Sequence, residues 1–335
     1  MNGSKVVMID HELELHKNTF VVNWNLGNQC NFRCSYCIPA LNSGSNPWPA
    51  PEAVTGFADS VIGHFAGKHH KKLLFGFTGG EVTLYKDLYD VLKHLKDNNC
   101  KTEILSNASP KLSYWEKIKD VLNYGILSFH ADHCRPEHFL EVVQYLRRHI
   151  SIHVNIMMHP QHFSQCRSFG ETIMSTCPNM SISFQPLLEK LSAGAPLIPY
   201  SDEQFDAIRH LNASREICLG DDLRYRGQMR NFTADGREYI MTQEQYVTER
   251  RNHWKGWYCW AGLEQIVVSQ EGNVYRAWCQ QDKLGDIYGD IQFPSYPVVC
   301  NRNMCHCNID MMTKKQAPVF INPQNIEALA QSKIG

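Results

Sequence analysis

The chain has 335 residues, 43% of them hydrophobic, enough to bury a sizeable core in one large domain or in a domain with an appendage. Lys and Arg number 33 against 34 Asp and Glu, a formal charge of -1, which excludes a global field for bulk nucleic acid or an anionic membrane. No stretch approaches the roughly 20 apolar residues that span a bilayer, and Met1–Lys17 lacks the apolar centre of a signal peptide. Thirteen cysteines is an odd number. The expectation is a cytoplasmic protein whose reduced cysteines serve metal binding or catalysis rather than disulfides.

Residues 1–18 are too few for a separate recognition domain. From Thr19 to Leu26 β-branched and aromatic residues predict a buried strand, ending at Gly27-Asn28 and feeding a loop through Ser43-Gly44-Ser45-Asn46-Pro47. Pro51 opens a helix with Val54, Phe57, Ala58, Val61, Ile62 and Phe65 on one face. The basic cluster Lys68-His69-His70-Lys71-Lys72 reads as a solvated helix-to-strand connection. Leu73–Phe77 is the next strand and runs into Thr78-Gly79-Gly80-Glu81.

The alternation continues. Helical spacing at Leu88, Val91, Leu92 and Leu95 precedes a strand from Thr102 to Leu105 that ends in Ser106-Asn107. Trp115, Ile118 and Val121 mark a helix, Ile126–Phe129 a strand ending in His130, and Phe139, Val142, Val143 and Leu146 a helix after Pro136. Ile152–Met158 and Ser181–Phe184 are further strands, with a helix near Gly170–Ser175 between them. Six strands alternating with helices predict parallel pairing with right-handed crossovers. The fold class expected is α/β, a partial (β/α)6 TIM-like barrel over 19–211, with ligands at the C-terminal ends of its strands.

The chemistry sits at those ends. Cys30, Cys34 and Cys37 are spaced C-x3-C-x2-C, so three thiolates on one short loop can hold three irons of a cubane and leave one iron open. The same thiols could instead belong to a zinc site, with His16 or a distal cysteine as fourth ligand. Gly79-Gly80 allows close backbone approach, and Glu81 offers an acceptor for an ammonium group. His130, Asp132 and His133 form a polar cluster on the same rim that could orient substrate or act as acid and base; it could equally be a loop satisfied by its own hydrogen bonds.

With these motifs the chain resembles the radical S-adenosylmethionine (SAM) superfamily. The resemblance implies that Cys30, Cys34 and Cys37 hold a 4Fe-4S cluster whose open iron is chelated by the methionine moiety of SAM, and that Tyr36 packs near the adenine. It also implies that Gly79, Gly80 and Glu81, with Val82 in place of the family's proline, bind the methionine amino group. Asn107 and Ser128 fall where the family contacts ribose or carboxylate, and Leu187 where adenine packs on backbone. One electron then cleaves the sulfonium to a 5'-deoxyadenosyl radical that abstracts hydrogen from substrate.

Beyond Pro199 the pattern stops. Asp202–Leu211 reads as a helix, and the Arg-rich stretch Arg224–Arg251, within a connecting segment 212–258, has no assignable structure. In 259–335, Leu263–Val268 and Val274–Ala277 flank Gln270-Glu271-Gly272-Asn273 as a hairpin that would bring Cys259 and Cys279 together, with Cys300, Cys305 and Cys307 following. This cysteine-rich hairpin domain resembles the twitch or SPASM appendage, which implies a second, auxiliary 4Fe-4S cluster; zinc, with His306, is the alternative. The arms, 12 residues from Cys259 to Gly272 and six from Gly272 to Cys279, depart slightly from the family's x(9 to 15) and x4. Cys100, Cys134, Cys166, Cys177 and Cys218 read as small buried hydrophobes, and Trp254, Trp257, Trp260 and Trp278 as packing around the hairpin.

The implied function is radical oxidation or bond formation on a small molecule, or cross-linking of a ribosomally made peptide. A flavodoxin or ferredoxin would supply electrons, and the auxiliary cluster would accept an electron or bind substrate. From a different class, the chain could be a non-catalytic zinc or iron-sulfur scaffold. The ammonium-binding carboxylate on the ligand rim argues for the enzyme.

Overall fold

The computed structural model describes residues 5–189, 196–213, 228–305 and 307–318. The chain divides into two compact units, one made of Trp24–Pro51 and Phe75–Gly220, the other of Met1–Asn23, Glu52–Leu74 and Asp221–Gly335. Among the described residues no helix is long and apolar enough to cross a membrane.

After β1 (Val6–His11) come β2 (Thr19–Gly27), β3 (Lys72–Gly79), β4 (Lys101–Ser106), β5 (Tyr124–Phe129), β6 (Ser151–Met157) and β7 (Ser181–Gln185). These six are hydrogen-bonded neighbours in the order β2-β3-β4-β5-β6-β7, and β4 to β7 pair in parallel. Helices Leu88–Asp97, Leu112–Ile118, Pro136–Leu146 and Phe163–Thr176 supply the crossovers that parallel neighbours require. The α/β architecture expected from the alternation is the one observed. The helix expected near Gly170 begins earlier, at Phe163, because the turn Pro160–His162 runs directly into it.

The pleat decides which residues fill the core. On β6, Ile152, Val154 and Ile156 are buried towards the helices, while His153, Asn155 and Met157 on the alternate face are only half-buried. Phe129 of β5, Phe139 and Phe169 of the two following helices pack at 4.2–5.8 Å between ring centroids. Each such buried ring contributes roughly 1.5–3 kcal/mol. Gly170 permits this closeness, since a Cβ there would come within 2.3 Å of the Phe184 ring. Strands fixed this firmly present their C-terminal ends as a defined rim.

In the other unit, β8 (Gln228–Thr233) and β9 (Glu238–Thr242) form a hairpin turned at Gly236, φ +83°. The described part of the Arg-rich stretch is thus a strand pair followed by the helix Gln243–Thr248, capped reciprocally by Thr242 and Gln245. β10 (Tyr258–Cys259) is followed by an antiparallel meander of β11 (Gln265–Val268), β12 (Asn273–Tyr275) and β13 (Lys283–Asp286). With β14 (Val298–Val299) and β15 (Lys315–Gln316), a second sheet has the order β14-β10-β15-β1-β8-β9. β1, from the segment read as an N-terminal extension, therefore lies inside this antiparallel sheet.

Candidate active site

The loop after β2 is shaped by Asn28, which is 1% exposed. Its side-chain Nδ2 donates to the Ala40 carbonyl and to the Ser43 and Ser45 hydroxyls, and its Oδ1 accepts the Asn46 N–H. Inside the loop the Cys37 N–H donates to the Cys34 carbonyl at 3.0 Å, and Arg33 Nη1 reaches the carbonyls of Cys30 and Asn42. All three thiols are pushed up by burial, Cys34 to about 12, so a metal entering here must displace protons.

Gly79-Gly80 brings the end of β3 against this loop. The Gly80 N–H donates to the Gly27 carbonyl at 2.8 Å and the Glu81 N–H to the Gln29 carbonyl at 2.7 Å. A Cβ on Gly79 (φ +137°) would lie 2.2 Å from the Gly27 oxygen, and one on Gly80 2.1 Å from the Gln29 oxygen. The glycines are thus required for backbone-to-backbone contact. Asn25 Oδ1, 2.8 Å from the first of these positions, is buried and has no hydrogen-bond partner among the described residues.

Glu81, 1% exposed, spends its carboxylate inward. Oε1 accepts from the Thr83 N–H, the Thr83 hydroxyl and the Ser106 hydroxyl, and Oε2 from the Asn107 N–H at 2.7 Å. Burial pushes its pKa up, against the pull of these donors. The Asn107 side chain is held in turn by Asn31 of the cysteine loop, at 2.9 Å.

On the opposite side the loop meets histidines. The Tyr36 hydroxyl and His130 Nδ1 share a hydrogen bond of 2.5 Å, and burial lowers the His130 pKa to about 4, keeping the ring neutral. The Arg33 N–H donates to His133 Nε2. The Ser35 N–H and hydroxyl donate to Asp132 Oδ2 at 3.2 and 3.1 Å, while His162 Nε2 stands 3.3 Å from Oδ1. Burial raises the Asp132 carboxyl, but the Ser35 bonds and nearby His159 and His162 outweigh it and leave the pKa below its ordinary value. Leu187, 0% exposed, packs with Cys34 and Tyr36 rather than facing outward; its N–H donates to the Tyr200 hydroxyl.

A tetrahedral zinc ion with Zn–S of about 2.3 Å needs its thiolates about 3.8 Å apart. Among the described residues no three thiols lie within 4.8 Å of one another, at the loop or distally; the triad that does is Asp132, His159 and His162. Three thiols on one loop can each bind a different iron of a cluster. The triad fits a metal poorly: the Gln161 N–H donates to His159 Nδ1, so the proton sits on Nε2, the atom aimed at the Ser35 hydroxyl 3.0 Å away.

In the other unit the distal cysteines do not sit simply at the two ends of a hairpin. Cys259 belongs to β10, separated from β11 by a turn at Gly262 (φ +89°), whereas Cys279 follows β12. The Cys279 N–H donates to Asp310 Oδ2 at 2.8 Å, the Cys300 N–H to the Trp257 carbonyl, and the Cys305 N–H to the Asn252 carbonyl. Burial raises Cys279, Cys305, Cys259 (to about 11) and Cys307 (to about 12), and the thiols act on one another: Cys300 on Cys259 and Cys279, Cys259 and Cys307 on Cys305, Cys279 on Cys307. They form one electrostatic group of five, whose chemistry suits an iron-sulfur cluster. His306 and Cys218 lie outside the described residues.

Sequence reasoning missed Ser35, His159 and His162, although His159 follows a strand end, as His130 does. It named Ser128 but missed the polar row that continues from it, where Asn155 on β6 and Ser183 on β7 are successive register partners of Ser128 on β5. His153 joins Ser181, Asn155 and Ser183 at 2.8–3.0 Å, and Gln185 Nε2 donates to Ser183. The signal was there: parallel strands buried on both faces should be apolar throughout, and these alternate.

Residues 24–167 match the family model of the Radical SAM superfamily. No curated protein matches the chain. Among solved structures it is similar to SuiB of Streptococcus suis, with TM-score 0.52 and 15% identity over 83% of this chain and 66% of that one. The structure of SuiB bound to S-adenosylmethionine gives 0.49 at 15%, over the same shares, and methylornithine synthase (PylB) gives 0.37 at 13%, over 58% and 63%. The chain thus spans about two thirds of the length of SuiB, and at that identity the likeness concerns the fold. The matched segment contains both the cysteine loop and Gly79-Gly80-Glu81, so the likeness to the Radical SAM superfamily falls on the strand-end site.

Proposed function

We propose that Cys30, Cys34 and Cys37 hold a 4Fe-4S cluster that binds SAM, and that the chain uses it to oxidise, or form a bond on, an organic substrate. The observation that carries this reading is a C-x3-C-x2-C loop, inside the segment that matches the Radical SAM model, bound on both sides by the strand-end rim. When bound, the cofactors supply one-electron cleavage of the sulfonium and a radical that takes hydrogen from substrate.

The residues of the chain position and exclude. Glu81 locks β3 to β4, so the backbone at Gly79-Gly80, Asn25 Oδ1 and the Ser128 hydroxyl are left to meet the methionine and ribose groups. Tyr36, stacked on His130 at 6.0 Å, walls the adenine side over the buried Leu187. His130 and Asp132 work through the loop, holding Tyr36 and Ser35. The distal cysteines hold an auxiliary 4Fe-4S cluster that takes up an electron or binds substrate. A small molecule and a ribosomally made peptide both satisfy the one requirement of the step, a C–H bond presented to the radical. SuiB has been solved with its precursor peptide SuiA.

The test needs no substrate. Protein purified anaerobically and reconstituted should carry iron and sulfide at both sites. It should release 5'-deoxyadenosine from SAM on addition of dithionite or of reduced flavodoxin; no release from fully reconstituted protein rejects the reading.

A further inference from the structure

We propose that Lys315 is a built-in counter-cation of the distal cysteine group and raises the reduction potential of the cluster bound there; this rests on reading that group as an auxiliary cluster site. Lys315 of β15 is the cross-strand partner of Cys259 on β10. The residue is 1% exposed, and Nζ donates to the carbonyls of Asp310, Met311 and Thr313 at 2.7, 3.1 and 2.8 Å while standing 4.5 Å from the Trp254 ring centroid.

All three ammonium protons therefore go to neutral acceptors. Among the described residues no carboxylate forms an ion pair with Lys315. Asp310, whose backbone carbonyl takes one of those protons, spends its carboxylate on the Trp278 and Cys279 N–H groups and on Gln265. The buried Asp310 carboxylate feels the lysine's charge without pairing with it, so a buried ammonium whose protons all go to neutral acceptors remains costly, and a further negative group in the same pocket offsets that cost. The thiols supply one. Lys315 pulls down Cys259 and Cys305 against the burial that raises them, and Cys305 packs on the core that contains Trp254, Met311 and Met312. A cubane held by four thiolates is anionic and becomes more so on reduction, so a fixed cation beside two of its ligands favours the reduced form.

The experiment is a redox titration followed by electron paramagnetic resonance, using full-length protein with Cys30, Cys34 and Cys37 all changed to Ala so that only the distal signal remains. About four irons per chain are expected in this parent; their absence rejects the auxiliary-cluster reading itself. With the cluster present, Lys315→Met should lower the reduced-to-oxidised ratio at fixed ambient potential about tenfold, a shift of about 59 mV for one electron. Lys315→Gln, which keeps a donor for the carbonyls, covers the case in which Met does not fold, and Lys315→Arg should stay near the parent. Loss of iron from the Met and Gln variants but not from Arg also supports the proposal. Unchanged potential and iron content in the neutral variants overturns it while leaving the cluster reading intact.

Discussion

The backbone N–H of Asn107 donates to Glu81 Oε2 at 2.7 Å, so the end of β4 is tied to the end of β3 through a carboxylate. With Thr83 and Ser106 on Oε1, removing this side chain leaves several buried donors unsatisfied. Bonds to a charged acceptor contribute about 1.5–3 kcal/mol each and are not additive. Glu81→Ala should therefore destabilise the protein without cofactors by about 3 kcal/mol or more, read from the urea midpoint. If the midpoint is unchanged and only SAM binding suffers, the carboxylate is a ligand group rather than a tie.

His130 makes stability depend on pH. Its pKa falls from 6.5 to about 4 on burial, so between those values the unfolded chain binds more protons than the folded one. The stability contribution is complete above about pH 6.5 and is lost as pH falls towards 4. The ring keeps part of its surface exposed, which reduces the effect to about 1–2 kcal/mol. His130→Asn should flatten the difference between urea midpoints at pH 7 and pH 5 by that amount, and an identical pH profile would contradict it.

Much of the fold was legible because hydrophobic period and strand-end placement are local signals. Val54, Phe57, Ala58 and Val61 mark their helix whatever surrounds them. The strand-end rule found His130 and Asp132 but not what they do, since Ser35 is 97 residues from Asp132 and nothing local announces the pair. Glu81 reads as an acceptor for an ammonium group, and that it also takes bonds from Ser106 and Asn107, 25 and 26 residues on, is not visible locally. Cys259 was read into a hairpin because the turn at Gly262 and the pairing of β10 with β14 and β15 are tertiary facts.

Asp132 reaches the cysteine loop through Ser35. Asp132→Ala removes the acceptor for the Ser35 N–H and hydroxyl and the partner of His162. Outer partners of metal ligands typically alter affinity by about 10-fold to 100-fold. Iron release to a ferrous chelator from the reconstituted loop site should accelerate about tenfold, with Asp132→Asn between the two. Equal release rates would show that the loop holds itself.

Two glycines give a paired test of close approach. Gly80→Ala sets a Cβ 2.1 Å from the Gln29 oxygen, backbone that cannot rotate away, so the cysteine loop must shift. Gly56, on the helix Pro51–Val61, has open space around its Cβ position. Gly80→Ala should destabilise by about 3 kcal/mol, as strain of this kind does, whereas Gly56→Ala should stabilise by about 0.5–1 kcal/mol. Equal midpoints for the two would remove the packing role assigned to Gly80.

The two cysteine groups should separate in function because they lie on different elements with different partners. Cys34 is the most buried loop thiol and packs with Tyr36 and Leu187, so Cys34→Ala removes a ligand and opens the floor of the site. It should abolish 5'-deoxyadenosine formation while leaving distal iron in place. Cys279 is fixed by Asp310, in the other unit. Cys279→Ala should keep dithionite-driven SAM cleavage within about twofold, on the additivity expected of independent sites, yet block turnover wherever product formation must give up an electron. Full product yield from Cys279→Ala would show that the distal group is structural, and loss of cleavage would show that the two groups are coupled through the fold.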